Sequence, residues 1–305
     1  LIIWGGVIIW SWHWKDPVSE PVYILLPVHN RRAITVRMAQ SLRGQTLQDF
    51  QLVLVDDGST DGTADAVRAV LPATVVVRGN GRWWWAGCLH HASEWLAAKG
   101  VADDAMICIL NDDVDIAPDF IALAVGELAA RPATLLLARQ AKGETRGDGG
   151  IHADLWRLHF TPEPNPVAIN CLPTRGLFLR WGDLVRTGGF HPRLLPHYLS
   201  DYEFTLRAHR RGLELRVAEK AGLVPHSDQT GWSRADLFAR PRGQRLAILF
   251  SRRFKENPLT RSAFVWLAVP PWQKPWVWFR VWVVFSLVLV RCLLTPISTP
   301  ANSPA

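Results

Sequence analysis

The chain has 305 residues, 49% of them hydrophobic, with 34 basic and 27 acidic side chains and a formal net charge of +7. That length and apolar content exclude disorder and leave room for one large α/β domain or two small ones. Four cysteines without a CxxC pair or a His/Cys cluster argue against a disulfide scaffold and a structural zinc site, and the lack of a Gly period or heptad excludes collagen-like and coiled-coil chains.

Leu1–Trp14 is apolar and Trp-rich, yet too short to span a bilayer and without the basic start and small-residue cleavage site of a signal peptide. The first residue is Leu rather than Met, which fits a fragment or a processed product, and residues 1–20 are set apart as an N-terminal segment. From Pro21 the pattern is regular. Strands are predicted over Val22–Leu26, Gln51–Val55, Thr74–Val77, Ala105–Leu110 and Thr134–Leu137. Helices are predicted from Arg31 to near Gly44 and over Asp61–Leu71, Gly87–Ala98 and Pro118–Ala130. This alternation predicts βαβ units and an α/β fold with a mostly parallel sheet, helices on both faces. Periodicity fades between Ala141 and Pro166, which reads as a loop-rich insertion. It returns with a strand at Gly176–Arg180, a helix over Asp201–Arg211 and a strand near Leu213–Val217.

The remainder, residues 234–305, reads as a basic linker and an apolar tail. Arg234–Arg261 holds eight basic residues against Asp236 and Glu256, so most of the excess charge sits there. Nine of the sixteen Trp lie in the first 14 residues or after Arg261. A basic stretch beside a Trp-rich apolar one points to an anionic membrane surface rather than to nucleic acid. Trp276–Leu294 is about 28 Å long as a helix, close to the bilayer core. Arg280 and Arg291 share one of its faces. A spanning helix would let them snorkel to opposite interfaces, and an interfacial helix would use them as its polar stripe. Membrane association is expected, with the mode open.

Three acidic clusters carry chemistry. Leu52-Val-Leu-Val-Asp56-Asp57-Gly58-Ser59-Thr60-Asp61 is an apolar strand ending in paired carboxylates, followed by a turn and a helix capped by Ser59 or Thr60. Ligands of open α/β sheets bind beyond such strand ends. Asn111-Asp112-Asp113-Val114-Asp115 follows another apolar strand. Three carboxylates in four residues repel one another unless a cation neutralises them, and Mg²⁺ or Mn²⁺, bound through one or two carboxylates plus substrate phosphates, suits oxygen ligands. In His197-Tyr-Leu-Ser200-Asp201-Tyr-Glu203 a Ser200–Glu203 capping box would leave Asp201 free as a general base. His226, in Val224-Pro-His226-Ser-Asp228, would complete a cation site. Neither GxGxxG, GxxxxGK[ST] nor GxSxG is present, against a dinucleotide oxidoreductase, a P-loop enzyme and an α/β-hydrolase.

The order of motifs resembles the family 2 glycosyltransferases of GT-A fold, in particular rhamnosyltransferase-like enzymes of bacterial surface polysaccharide biosynthesis. The residues that carry the resemblance are Leu25-Leu-Pro-Val-His-Asn30, Val55-Asp-Asp-Gly-Ser-Thr-Asp-Gly-Thr63, Trp84-Trp-Ala-Gly87, Asn111-Asp-Asp-Val114, Arg175-Gly-Leu-Phe-Leu-Arg180, Gly188-Gly-Phe190 and Tyr198-Leu-Ser-Asp-Tyr-Glu-Phe-Thr-Leu-Arg207. The resemblance implies a GT-A domain over residues 21–233, with a nucleotide-binding half (21–140) and an acceptor half (141–233). It places Pro27, His29 and Trp85 in the nucleotide pocket, Asp57 against the nucleobase and Asp112 near the ribose. Asp113 would be the metal ligand under the diphosphate, with Asp115 and His226 as further ligands, and Asp201 would be the general base. The chain departs from the family pattern at His90, where many relatives carry Asn, and at Ser200, where Glu usually precedes the catalytic Asp. The implied activity is metal-dependent, inverting sugar transfer from a UDP- or dTDP-linked donor to a glycan or lipid-linked acceptor, with the tail at the cytoplasmic face of the cell membrane. The alternatives are a nucleotidyltransferase acting on sugar phosphates and a catalytically inactive, membrane-bound nucleotide-sugar-binding module.

Overall fold

A computed structural model describes residues 3–4, 7–8, 20–140, 149–226 and 231–294. Most of the Leu1–Trp14 segment, the start of the insertion and Ser227-Asp228 therefore lie outside the described residues. Near the N-terminus, β1 (Ile3–Trp4) and β2 (Val7–Ile8) form a two-residue antiparallel pair.

The regular alternation begins with β3 (Val22–Val28), α1 (Arg32–Arg43), β4 (Phe50–Asp56), α2 (Thr63–Val70), β5 (Val75–Arg78), α3 (Trp84–Lys99) and β6 (Met106–Ile109). It continues through β7 (Val114–Ile116), α4 (Phe120–Ala129), β8 (Thr134–Gln140), β9 (Ile151–Asp154), β10 (His159–Pro162), β11 (Leu177–Arg180), α5 (Trp181–Thr187), α6 (Ser200–Arg210) and β12 (Glu214–Pro225). Eight strands form one sheet in the order β5-β4-β3-β6-β11-β8-β12-β7. The β5-β4-β3-β6 half is parallel throughout. β11 enters antiparallel between β6 and β8, β12 runs parallel to β8, and β7 closes the edge antiparallel.

Period-two alternation sorts the core into two layers. Tyr23 and Leu25 of β3 face α3 and the α5–α6 side, where Leu89, Leu96, Phe190 and Phe204 are buried. Val22, Ile24, Leu26 and Val28 face the opposite layer, against Met38 and Leu42 of α1, Val67 of α2 and Phe120 of α4. The pairing of β3 with β4 runs from Val22–Phe50 to Val28–Asp56, so the two strands end level. Pro27 lies past the last β6 pairing, at Leu25, so its missing N–H removes no bond on that side.

Besides β7, α5 and the second half of β12, which the sequence reading did not include, the insertion and the basic linker depart from it. The insertion read as loop-rich contains an antiparallel hairpin, β9 with β10, whose short strands and turn carry too little periodicity to be read from sequence. The basic linker is helical: α7 (Arg234–Phe238), α8 (Arg242–Leu249) and α9 (Pro258–Ala268) precede the apolar helix α10 (Lys274–Leu294). These helices pack on the rest of the chain. Phe264 and Ala268 of α9 share a cluster with Leu206 of α6, Leu195 and Cys171, and Val277 and Val281 of α10 pack on Val265 and Val269. Buried Arg245 of α8 donates to the carbonyls of Phe238, Arg240 and Cys292, tying the ends of α7 and α10 together. All four cysteines are free and buried.

Candidate active site

A cleft of about 820 Å³ opens where the parallel strands end. At one end it is lined by Pro27 and His29 from the end of β3, Asp57 from the end of β4, and Trp84 and Trp85 from the start of α3. Asn111, Asp112 and Asp113, beyond β6, form its middle. Arg175, His197, Asp201 and Tyr202 line the far end, with Arg253 reaching in from the segment after α8. Asp57, Asp113 and Asp201 thus share one cavity, although 144 positions separate the first from the last.

Asp57 is buried and organises the turn that follows β5. Its Oδ1 accepts from the Gly81 amide (2.8 Å), and its Oδ2 from the amides of Trp83 and Trp84 (both 3.0 Å). With three of roughly four lone-pair directions committed, little acceptor capacity is left for a ligand. The close approach of the two turns demands glycine: a Cβ on Gly58 (φ +71°) would stand 2.7 Å from the Gly81 nitrogen. His29 donates through Nδ1 to the Asp57 carbonyl (2.6 Å), which leaves Nε2 to accept from Asn30 Nδ2 (3.2 Å).

The start of α2 differs from expectation. Gly62, in the left-handed region, occupies the cap position without a side-chain bond, and Asp61 rather than Ser59 or Thr60 receives the Thr63 amide (3.1 Å). The second Asp61 oxygen accepts from the Arg32 amide (3.0 Å), joining the starts of α1 and α2. Ser59 and Thr60 instead bond to Asn30.

In the middle of the cleft, Asp112 Oδ2 accepts from Thr35 Oγ1 (2.8 Å) and sits 3.2 Å from Arg31 Nε. Arg31 Nη2 donates to Asp113 Oδ2 (3.3 Å). Burial raises the Asp112 pKa, with the Asp113 charge adding to it, against the lowering effect of Arg31 and Thr35. One guanidinium therefore faces two carboxylates and leaves a net negative charge. Asp113 Oδ1 and Asn111 Oδ1 are buried without a hydrogen-bond partner. Orphaned oxygens beside uncompensated charge fit a hard divalent cation.

The expected cation ligands are only partly gathered. Asp115 and His226 lie outside the cleft lining: His226 Nε2 donates to Asp115 Oδ1 (2.6 Å), and its Nδ1 accepts from Arg37 Nη2 (2.7 Å). The chain bends at Asp112–Asp113 before β7 begins, which breaks the alternation that would put Asp113 and Asp115 on one side. Among the described residues no group of three His, Cys, Asp or Glu side chains stands close enough to hold a metal ion.

At the far end, burial pushes the Asp201 carboxyl up to about 6, against the lowering pull of backbone N–H groups and of Arg175. Burial likewise holds His197 down at about 4, with Arg253 adding to the effect, so this imidazole is neutral near pH 7. Arg175 Nε is buried without a hydrogen-bond partner. The Ser200–Glu203 capping box is not formed. Leu199, with φ +65°, caps α6, Ser200 Oγ donates to the His197 carbonyl (2.6 Å), and Glu203 takes a two-pronged ion pair from Arg207 (2.8 and 2.9 Å). Asp201 stays in the first turn, at the positive end of α6.

The profile of the family described as "Glycosyl transferase family 2" matches residues 23–180, more than half of the chain. This chain belongs to glycosyl transferase family 2. A Sinorhizobium fredii protein described as uncharacterized, y4gI, is 26% identical over 284 residues, which cover 90% of this chain and 29% of that protein. The chain thus spans less than a third of the length of the curated relatives it matches. Among solved structures, the mannosyltransferase PcManGT from Pyrobaculum calidifontis, in complex with GDP-Man and Mn²⁺, superposes with a TM-score of 0.55 at 17% identity, over 92% of this chain and 89% of that one. S. aureus TarS 1-349 in complex with UDP gives 0.54 at 15% identity, over 91% and 76%. These likenesses establish the GT-A fold for the family 2 chain described here.

The sequence did not single out Arg31, His197, Tyr202 or Arg253 as site residues. Arg253 sits inside the basic run, where its charge reads as part of a membrane-facing surface, and only tertiary folding turns it into the cleft. Arg175 belongs to a family motif, but nothing in its local sequence shows that its guanidinium stands near Asp201.

Proposed function

We propose that this chain is the catalytic unit of a metal-dependent, inverting glycosyltransferase that moves a sugar from a UDP- or dTDP-linked donor to a hydroxyl of a glycan or lipid-linked acceptor. The observation that carries the reading is the convergence of Asp57, Asp113 and Asp201 on one cleft, with the Asp201 carboxyl tuned to about 6. The nucleoside would lie at the Pro27, His29, Asp57 and Trp85 end, held by the turn that Asp57 organises, with Asp112 toward the ribose. Asp113 would hold the cation; Asp115 and His226, expected as further ligands, pair with each other outside the cleft lining and would have to turn inward to reach it. Such an ion, when bound, supplies Lewis-acid stabilisation of charge on the departing diphosphate. Asp201 accepts the proton of the acceptor hydroxyl as the new C–O bond forms, a role worth about 10²–10⁴-fold in rate. Arg175 favours the ionised form of Asp201 against the effect of burial. The apolar, acid-free tail would hold the chain against a membrane, within reach of a lipid-linked acceptor.

The test is incubation of the purified chain with a panel of nucleotide sugars and Mn²⁺. Slow release of nucleoside diphosphate and free sugar is expected for one donor. Pyrophosphate release from a nucleoside triphosphate and a sugar phosphate would favour a nucleotidyltransferase, and donor binding with no turnover an inactive binding module.

A further inference from the structure

The longest apolar helix, α10, has two different faces. Val277, Val281, Phe285, Val288 and Cys292 are buried, at the spacing of one helical stripe. On the opposite side Trp276, Phe279, Val283, Leu287, Val290 and Leu294 form a second stripe that is exposed. The turn leading into the helix adds Trp272 (73% exposed), and Trp266 of α9 is 71% exposed. Folding has therefore left large aromatic and aliphatic side chains in water although half of the helix found a protein partner.

We infer that α10 lies flat in one leaflet of an anionic membrane, its Trp276–Leu294 stripe in the headgroup–acyl boundary, and does not cross the bilayer. Two observations exclude crossing in this fold. A spanning helix needs lipid or other spans around it, whereas α10 packs by its buried stripe on α8 and α9 and is fastened at its end by the Arg245 bond to the Cys292 carbonyl (3.0 Å). Its arginines are also held by the protein: Arg280 donates to the Trp156 carbonyl (3.0 Å), and the Arg291 guanidinium lies over the Phe238 ring (4.7 Å).

Charge selects the occupant. Residues 257–294 contain no acidic side chain, and three basic ones, Lys274, Arg280 and Arg291, lie on α10 itself, while the Nε of Arg261, on α9, is buried. The exposed stripe has heptad-like spacing, but pairing it with a second copy would bring these cations together with no acidic flanks to complement them. An anionic lipid surface complements them, and tryptophans at the level of the headgroups suit its interface. This inference deepens the membrane association proposed above and is tested separately from sugar transfer.

The test uses the full chain with vesicles of phosphatidylcholine alone or with 30 mol% phosphatidylglycerol, since about a third of anionic lipid gives a strong surface potential. Flotation with the anionic vesicles, weakened by salt and reversed by alkaline carbonate, is expected. The triple variant Trp276→Ser, Phe279→Ser, Leu287→Ser should bind about ten-fold or more weakly, because each change removes a large apolar surface from the boundary. Its donor binding and thermal melting should match those of the parent, which separates failure here from failure of the transferase reading. Spin labels on single cysteines at positions 279, 287 and 294 should report equal depth. Depths differing by roughly 1.5 Å per residue would mean a spanning helix and overturn the inference. A dimer by light scattering that dissociates in the triple variant, with no vesicle binding, would overturn it as well.

Discussion

Asp201 is worth most at the scale of single residues because its chemistry and its cost have the same origin. Burial raises its pKa to about 6, so the ionised form needed of a base dominates only above that pH. Turnover should therefore rise with pH through about 6, and a flat profile between pH 5 and 7 would remove Asp201 from the mechanism. Stability runs the other way. A carboxyl whose folded pKa exceeds its unfolded value of about 3.9 stabilises the fold at low pH and loses that contribution as pH rises through about 6. Asp201→Asn should lose about 10²–10⁴-fold in transfer, keep donor affinity, and melt higher than the parent at pH 8 but not at pH 4, with a gain of at most about 3 kcal/mol. Calorimetry at the two pH values checks the sign. In the middle of the cleft, Asp113→Ala should abolish the Mn²⁺-dependent part of donor binding, read as a thermal shift with UDP with and without the ion. Equal shifts in parent and variant would count against Asp113 as a ligand. Asp57, Asp112 and Asp113 could be recognised in the sequence because they follow apolar strands, and Asp201 because it opens a helix within a family motif. Arg175 and Arg253 could not, since their place depends on contacts far along the chain.

Among the elements, the hardest to read in sequence were those whose stability comes from neighbours. The strands of the parallel half are nearly continuous apolar runs of Val, Ile and Leu, and their limits fall within a few residues of the sequence reading. β12 is different: Leu213–Val217 is visible as a strand, but polar Glu219 and Lys220 mask its continuation to Pro225 across an irregularity in the pairing with β8. Likewise α7 and α8 read as a basic linker because Arg245 looks like surface charge. In the fold that side chain is buried and closes three backbone carbonyls at the ends of α7 and α10. Arg245→Leu should keep much of the volume yet leave those carbonyls without partners, at about 1–3 kcal/mol each. A melting temperature lower by several degrees is the expected outcome. An unchanged value would mean that water replaces the guanidinium without loss.

Across the whole molecule, the tail and the cleft belong to one packed body. Phe264 of α9 meets Phe160 of the hairpin edge-on (centroids 5.8 Å apart), and Phe160 in turn packs on Tyr202 (4.8 Å), the residue after Asp201. Arg210 of α6 also donates to the Ala268 carbonyl at the end of α9. A change at Phe264 therefore reaches the proposed base through two aromatic contacts, whereas the nucleotide end of the cleft rests on β3, β4 and α3 and meets the tail through a different residue, Arg252, over the Trp84 ring (5.9 Å). Phe264→Ala would open a cavity in this cluster and should cost about 3–5 kcal/mol of stability. Below its melting point the variant should bind UDP as the parent does but turn over more slowly, because the Tyr202–Asp201 turn has lost its backing. Phe264→Leu, which restores part of the volume, should recover both properties in parallel. If Phe264→Ala weakens UDP binding and turnover equally, the tail supports the fold as a whole and has no specific link to Asp201.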